Sequence, residues 1–244
     1  MTGPVIGSIT GSMTRSASGR HLCDPVLEGL GVGHGFAERG AQVPDYTVFP
    51  HQIHGVGVVR GEALRAGAPS EADAIVSTTP GVAIGIVTAD CVPILVASAD
   101  GGCVAAIHAG WRGLAAGVIE AGIEAMGQRV GGLRAAVGPA ARGCCYEVDE
   151  PVAAALARRY EGLLAGVLVP GRPGRHQLDL PALAARVLAR IGVGSDRIGA
   201  AACLCTICTP GPRFESFRRD GPASGRLRHF IEPAPAADGR TPEG

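Results

Sequence analysis

Residues 81–113, GVAIGIVTADCVPILVASADGGCVAAIHAGWRG, decide how the chain folds. Three short apolar runs lie inside this stretch, Val82–Val87, Pro93–Ala97 and Val104–Ile107, each bounded by Gly, Pro or Asp. Their length and Val/Ile content predict strands, several of them buried on both faces. After Arg112 the period changes. Leu114, Val118, Gly122 and Met126 recur every fourth residue, an apolar stripe that predicts a helix to about residue 128. The most apolar part, Gly81 to Ser98, is interrupted by Asp90 and Pro93. It is also shorter than the ~20 residues that a membrane-spanning helix needs.

Outward from this centre, Val56–Arg60, Ala74–Ser77, Ala135–Val137 and Ile198–Cys203 read as further strands. Asp149 is placed to cap a helix over Glu150–Tyr160, with Pro151 tolerated in its first turn. Asp179 caps another over Leu180–Ile191, which Gly192 stops. Strand clusters mixed with three helices predict an α/β or α+β fold. No linker or internal repeat divides the chain, so a single catalytic domain over residues 21–232 is expected. Flexible tails are expected at 1–20, rich in Ser, Thr and Gly, and at 233–244.

Composition removes several functions. The 22 basic and 22 acidic residues cancel, which argues against a nucleic-acid or acidic-membrane partner. Every basic residue is Arg; without Lys there is no Schiff base and no phosphate-binding P-loop. Without Asn there is no glycosylation sequon. The N-terminal residues lack an apolar run behind a charged start, so a cytoplasmic protein is expected, monomeric by default. Eight cysteines then read as reduced thiols. Gly29, Gly31, Gly33 and Gly35 alternate but miss the third Gly of a dinucleotide-binding turn. Cys203, Cys205 and Cys208 form C-x-C-x-x-C, yet no second pair follows at zinc-finger spacing, and Cys144–Cys145 lies about sixty residues upstream. Packing as small buried hydrophobes is the expected role of these five.

Three segments place a His or Cys where an apolar run ends in a turn. They are His51-Gln52-Ile53-His54-Gly55, Thr88-Ala89-Asp90-Cys91-Val92-Pro93 and His108-Ala109-Gly110-Trp111-Arg112-Gly113. Two imidazoles and a thiolate suffice for zinc and leave a fourth position open. Taken singly, each residue also has a structural reading: a hydrogen-bonded core His, or a packed Cys91. Arg112 at a helix start suits a phosphate, and equally a solvated surface. Asp90 is read as orienting a ligand or capping its turn. Asp73 is read as turn chemistry, and Trp111 as core or as a wall for a flat base. Arg218, Arg219 and Arg226 form a basic cluster that either binds phosphate or pairs within the fold.

HQIHG, TADCVPIL, HAGWRG, GPAARGCCYEV and SFRRDG–GR occur here in a recognisable order. From about Gly35 to Phe230 the chain resembles the family first described as polyphenol oxidases or laccases and now as purine nucleoside phosphorylases (the bacterial YfiH/YlmD-like group). The resemblance implies His54, Cys91 and His108 as zinc ligands, copper being the alternative metal. Catalytic roles are thus expected for Cys91 and His108, and for Arg112 as the phosphate receptor that its place at a helix start suggests. The family's fold would be α+β, a single domain of layered mixed sheets flanked by helices, similar to deamidating toxins. Its substrates would be a purine nucleoside (adenosine, inosine, guanosine or methylthioadenosine) and phosphate, with adenosine deaminase activity besides. Departures flank the ligands: Ala141-Arg142 before Gly143, Phe214-Glu215-Ser216-Phe217 before Arg218, and His51 as an extra imidazole.

Two other chemistries use the same residues. Cys91 with His108 as its base would make a cysteine hydrolase or amidase, with peptidoglycan precursors as one substrate class. A copper phenol oxidase needs many imidazoles, and seven His without a His-x-His pair rank it last.

Overall fold

The computed structural model describes residues 20–68 and 70–235. The expectations for residues 1–19 and 236–244 lie outside them. In chain order the elements begin with β1 (His21–Leu22), β2 (Gly33–Ala37), β3 (Val58–Arg60), α1 (Gly61–Arg65), β4 (Ala74–Ser77) and β5 (Ile84–Thr88). There follow β6 (Val92–Ala97), β7 (Val104–Ala109), α2 (Trp111–Ala116), α3 (Val118–Ala125), β8 (Arg134–Val137), β9 (Glu147–Asp149) and α4 (Glu150–Tyr160). The last are β10 (Leu168–Pro170), β11 (Arg175–Leu178), α5 (Leu180–Ile191), β12 (Ile198–Gly199), α6 (Phe217–Asp220) and β13 (Leu227–Glu232).

The centre is a six-stranded mixed sheet in the order β12-β8-β6-β7-β4-β3. Every residue of β6 and β7 is buried, so both faces of this sheet are covered. Alternation divides their side chains. Val92, Ile94, Val96 and Ile107 face a core built with Leu114, Ile119, Leu156 and Leu183 of the helices. Leu95, Ala97, Val104 and Ala106 face the other way, toward Phe36, Ile84, Ile86 and Ile231 of a four-stranded sheet, β1-β2-β13-β5. A small sheet, β10-β11-β9, completes the strands. The protein is therefore an α+β fold of layered mixed sheets flanked by helices, as expected.

Both predicted caps are present: Asp149 accepts from the Val152 amide at 3.4 Å and Asp179 from the Ala182 amide at 3.0 Å. Gly192, at φ 114°, ends α5. One correction concerns the striped helix, which is two helices. Gly117 turns to φ 100° between α2 and α3, where a Cβ would lie 2.2 Å from the Arg159 guanidinium. The stripe persists because Leu114, Val118 and Met126 still reach one core. The strand expected over Ile198–Cys203 is only β12, since Cys203 turns away to bond Ala200 through its amide. Among the described residues no helix is long and apolar enough to cross a membrane.

Candidate active site

The register of the central sheet assembles the site. β6 and β7 pair with Val92 opposite Ala109, and β4 and β7 pair with Ala74 opposite Ile107. Asp73 and Cys91, each one residue before its strand, therefore meet the end of β7, which carries His108. His54 arrives from the loop before β3. The donor atoms of His54, Cys91 and His108 lie within 4.8 Å of one another. Cys91 Sγ is 3.9 Å from His54 Nε2, and the two imidazoles meet edge to face at 4.9 Å. Gly110 must be small here, because a Cβ would lie 3.0 Å from Cys91 Sγ and 3.1 Å from His54.

Asp73, fully buried, holds two of the three donors. Its carboxylate accepts from the amides of Ile53 (3.2 Å), His54 (2.9 Å) and Gly55 (2.6 Å). It also lies 2.8 Å from His108 Nδ1, an acceptor that fixes the proton there and leaves Nε2 free toward the other donors. Burial alone would raise the Asp73 carboxyl; the His108 contact and the amides outweigh it and hold it below the usual carboxylate range. Burial likewise works to raise the Cys91 thiol, but His108 and His54 overcome it and bring it down to about 6. The partner effect, again against burial, lifts His108 to about 9 through Asp73 and Cys91. Without a metal, these directions describe a thiolate beside an imidazolium.

Among the described residues only two non-glycines have positive φ: His54 at 62° and Asp90 at 92°. One is a donor and the other precedes the donor Cys91, at a site where strained backbone concentrates when surrounding bonds over-determine it. Asp73 supplies those bonds for His54. For Asp90 they come from its own side chain, which accepts from Thr206 Oγ1 at 2.6 Å and from the Arg218 amide at 2.7 Å. Neither expectation for Asp90, orienting a ligand or capping its own turn, describes these contacts. Asp90 fastens the 206–218 segment beneath the site, and Asp73, read as turn chemistry, is the orienting carboxylate. No sequence offset links Asp73 to His108 thirty-five residues away; its one signal is an acid standing before a buried strand, as Cys91 stands before β6.

The remaining residues are placed as follows. His51 is 76% exposed and pairs with Glu71 at 3.8 Å, away from the donors. Arg112 is exposed in the first turn of α2, stacked on half-buried Trp111 at 4.3 Å, and among the described residues it has no carboxylate partner. The basic cluster pairs within the fold. Arg219 binds Asp220 and the Thr206 and Phe214 carbonyls, and Arg218 donates to the Glu147 carbonyl while lying over Tyr146. Tyr146 is buried, and its hydroxyl is raised by burial and then by the nearby Cys91 charge. The expectation for the five other thiols is corrected: Cys205 alone is buried, Cys145 and Cys203 are half-buried, and Cys144 and Cys208 are exposed.

The donor set suits a small soft ion, since one thiolate and two imidazole nitrogens converge from three segments, with a buried carboxylate fixing the His108 tautomer and the His54 backbone. A family model described as multi-copper polyphenol oxidoreductase laccase matches residues 35–233. A purine nucleoside phosphorylase of Pseudomonas aeruginosa is 53% identical over 76 residues, 31% of this chain and 30% of the relative. The purine nucleoside phosphorylase YfiH of Escherichia coli is 46% identical over 80 residues, 32% of each chain. The chain thus spans about a third of the length of the curated relatives it matches. A Neisseria meningitidis protein of known structure is 36% identical, with a TM-score of 0.71 over 78% of this chain and 75% of that one. YlmD of Geobacillus stearothermophilus, 23% identical, shares the fold with a TM-score of 0.74 over 91% of this chain and 98% of its own.

Proposed function

Because the chain belongs to the family described as multi-copper polyphenol oxidoreductase laccase, we propose that it is an enzyme of that family acting as a purine nucleoside phosphorylase, with a zinc ion held by His54, Cys91 and His108. The observation that carries this reading is the convergence of these three donors around a position fixed by Asp73. The names of the curated relatives supply the substrate class. Copper oxidation of phenols is disfavoured by the small imidazole count at the cluster.

A metal bound there would supply Lewis acidity toward an oxygen nucleophile. The chain's own residues do the rest. Asp73 keeps the His108 proton on Nδ1 and steadies positive charge on that ring. Arg112, two residues beyond Gly110 in the first turn of α2 and free of any carboxylate among the described residues, receives phosphate. In phosphorolysis a phosphate oxygen bonds to the sugar C1′ and the C1′–purine bond breaks. Its electron pair goes to the departing base, which takes up a proton. Deamination of adenosine would use the same pocket with water in place of phosphate.

Metal-loaded protein incubated with adenosine, inosine, guanosine and methylthioadenosine, with and without phosphate, tests this. Phosphate-dependent release of free base is expected, together with phosphate-independent conversion of adenosine to inosine. Arg112→Ala should weaken the apparent affinity for phosphate about ten- to a hundredfold, the ~1.5–3 kcal/mol of a charge-assisted contact. An unchanged phosphate dependence would remove Arg112 from the site. Absence of turnover with every nucleoside would overturn the reading.

The Cys91–His108–Asp73 alignment favours one second reading, a cysteine hydrolase: Cys91 attacks an amide or ester carbon, the C–N or C–O bond breaks as His108 gives its proton to the departing amine or alcohol, and water then cleaves the thioester. Rapid alkylation of Cys91 in freshly purified, metal-analysed protein supports it. Protection of that thiol by one equivalent of zinc rejects it.

A further inference from the structure

Four cysteines outside the site just described come together from two distant segments. The Sγ atoms of Cys144, Cys145, Cys205 and Cys208 all lie within 4.8 Å of one another, and Cys144 and Cys208 approach to 3.5 Å. We propose that they form a second, structural zinc site with four thiolate ligands. Around a tetrahedral ion with Zn–S bonds of about 2.3 Å, sulfur atoms stand roughly 3.8 Å apart. The observed spacings bracket that value.

The backbone places these thiols without a metal. Residues 143–145 form a turn in which the Cys145 and Tyr146 amides both bond the Arg142 carbonyl, so adjacent cysteines do not alternate as they would in a strand. Residues 205–208 form a single helical turn, closed by the Thr209 amide on the Cys205 carbonyl at 3.1 Å. That turn brings residues three apart onto one side. A parallel bridge between Ala140 and Cys205 joins the two segments. Arg142 also lies close enough to Cys144 and Cys203 to feel their charge, and it would offset part of the negative charge of a tetrathiolate. Cys203, the remaining member of C-x-C-x-x-C, packs against the helical core instead. Four thiols facing one point, two of them exposed, are not accounted for by packing.

Binding replaces four S–H protons by one Zn2+, and the protons leave to solvent. No oxidant takes part. The consequence reaches the first site through Thr206, next to Cys205, whose hydroxyl holds Asp90 beside Cys91. A closed zinc site would thus lock the wall on which Cys91 stands.

The experiment uses the full chain expressed with zinc, metal measured per chain, in wild type, Cys91→Ala and Cys144→Ser/Cys208→Ser proteins. Two equivalents are expected in wild type and one in each variant. Loss of zinc in Cys91→Ala bears on the first site alone, so the two assignments fail separately. A folded Cys144→Ser/Cys208→Ser protein with wild-type zinc content would overturn the second site. So would a Cys144–Cys208 disulfide in wild-type protein holding no second metal. Should the double variant not fold, cobalt replacement in Cys91→Ala decides. A four-thiolate ion gives roughly four times the thiolate-to-metal charge-transfer absorption expected from one thiolate. Absence of that band overturns the proposal.

Discussion

A single carboxylate, that of Asp73, sets the backbone of one donor and the ring of another. Three amides and one imidazole N–H converge on it in a fully buried position. Asp73→Asn keeps the shape but turns an NH2 group toward donors, leaving at least one of them unsatisfied. We expect a loss of about 2 kcal/mol or more in stability and metal affinity lowered ~10–100-fold by the released ring. Titration against a competing chelator checks the second figure; unchanged affinity would reduce Asp73 to a loop tether. His51 makes the contrast. Its imidazole faces Glu71 in solvent, so His51→Gln should keep its metal while His54→Gln loses it. At this scale the sequence disclosed donors better than their supports. Cys91 and His108 stand out as reactive side chains inside apolar runs. Asp73 and Thr206 act through contacts that exist only after distant strands have paired.

Elements were legible wherever local chemistry decides them. Buried β-branched runs made β4 to β7, and Asp149, Asp179 and Gly192 bounded α4 and α5 at the expected residues. What stayed hidden depends on tertiary company. Strand β2 is Gly33–Ala37, glycine-rich, and exists because β13 pairs with it and because His21 occupies the space above Gly35. The break at Gly117 was hidden for a different reason, since an apolar stripe continues across a kink. It yields a test. Gly117 at φ 100° becomes strained with any side chain, and a Cβ there displaces the Arg159 guanidinium that bridges to Glu120. The exposed ion pair is worth little; the left-handed backbone costs about 1–2 kcal/mol. Gly117→Ala should therefore lower the urea midpoint without changing its slope. An unaltered midpoint would mean that α2 and α3 run on as one helix in solution.

Across the whole molecule, three strands of the four-stranded sheet meet at one buried imidazole. His229 of β13 accepts from the Ala37 amide of β2 through Nδ1 at 3.1 Å, and its Nε2 lies 2.9 Å from Thr88 Oγ1 of β5. Both nitrogens are thus engaged in the neutral form, and burial lowers the ring from 6.5 to about 3. The unfolded chain takes up this proton as pH falls below 6.5, whereas the folded chain resists it until about 3. Stability therefore declines across that window, by ~1.4 kcal/mol for each pH unit. His108 acts in the opposite sense in metal-free protein. Its raised value, about 9, adds stability below 6.5 that disappears as pH rises toward 9. Cys91, brought down to about 6 from 9, offsets this over the same window, because the folded chain has released the thiol proton that the unfolded chain still holds; metal-free protein should therefore lose stability on the acid side and change little between pH 6.5 and 9. Denaturant unfolding at a series of pH values measures the acid limb. In His229→Gln the side chain cannot take a proton, so its acid limb should fall less steeply by one proton's worth of slope, even if the variant is weaker at neutral pH. Parallel acid limbs in wild type and His229→Gln would assign the acid sensitivity to the carboxylates instead, with Asp73, held below its usual range, the first to examine.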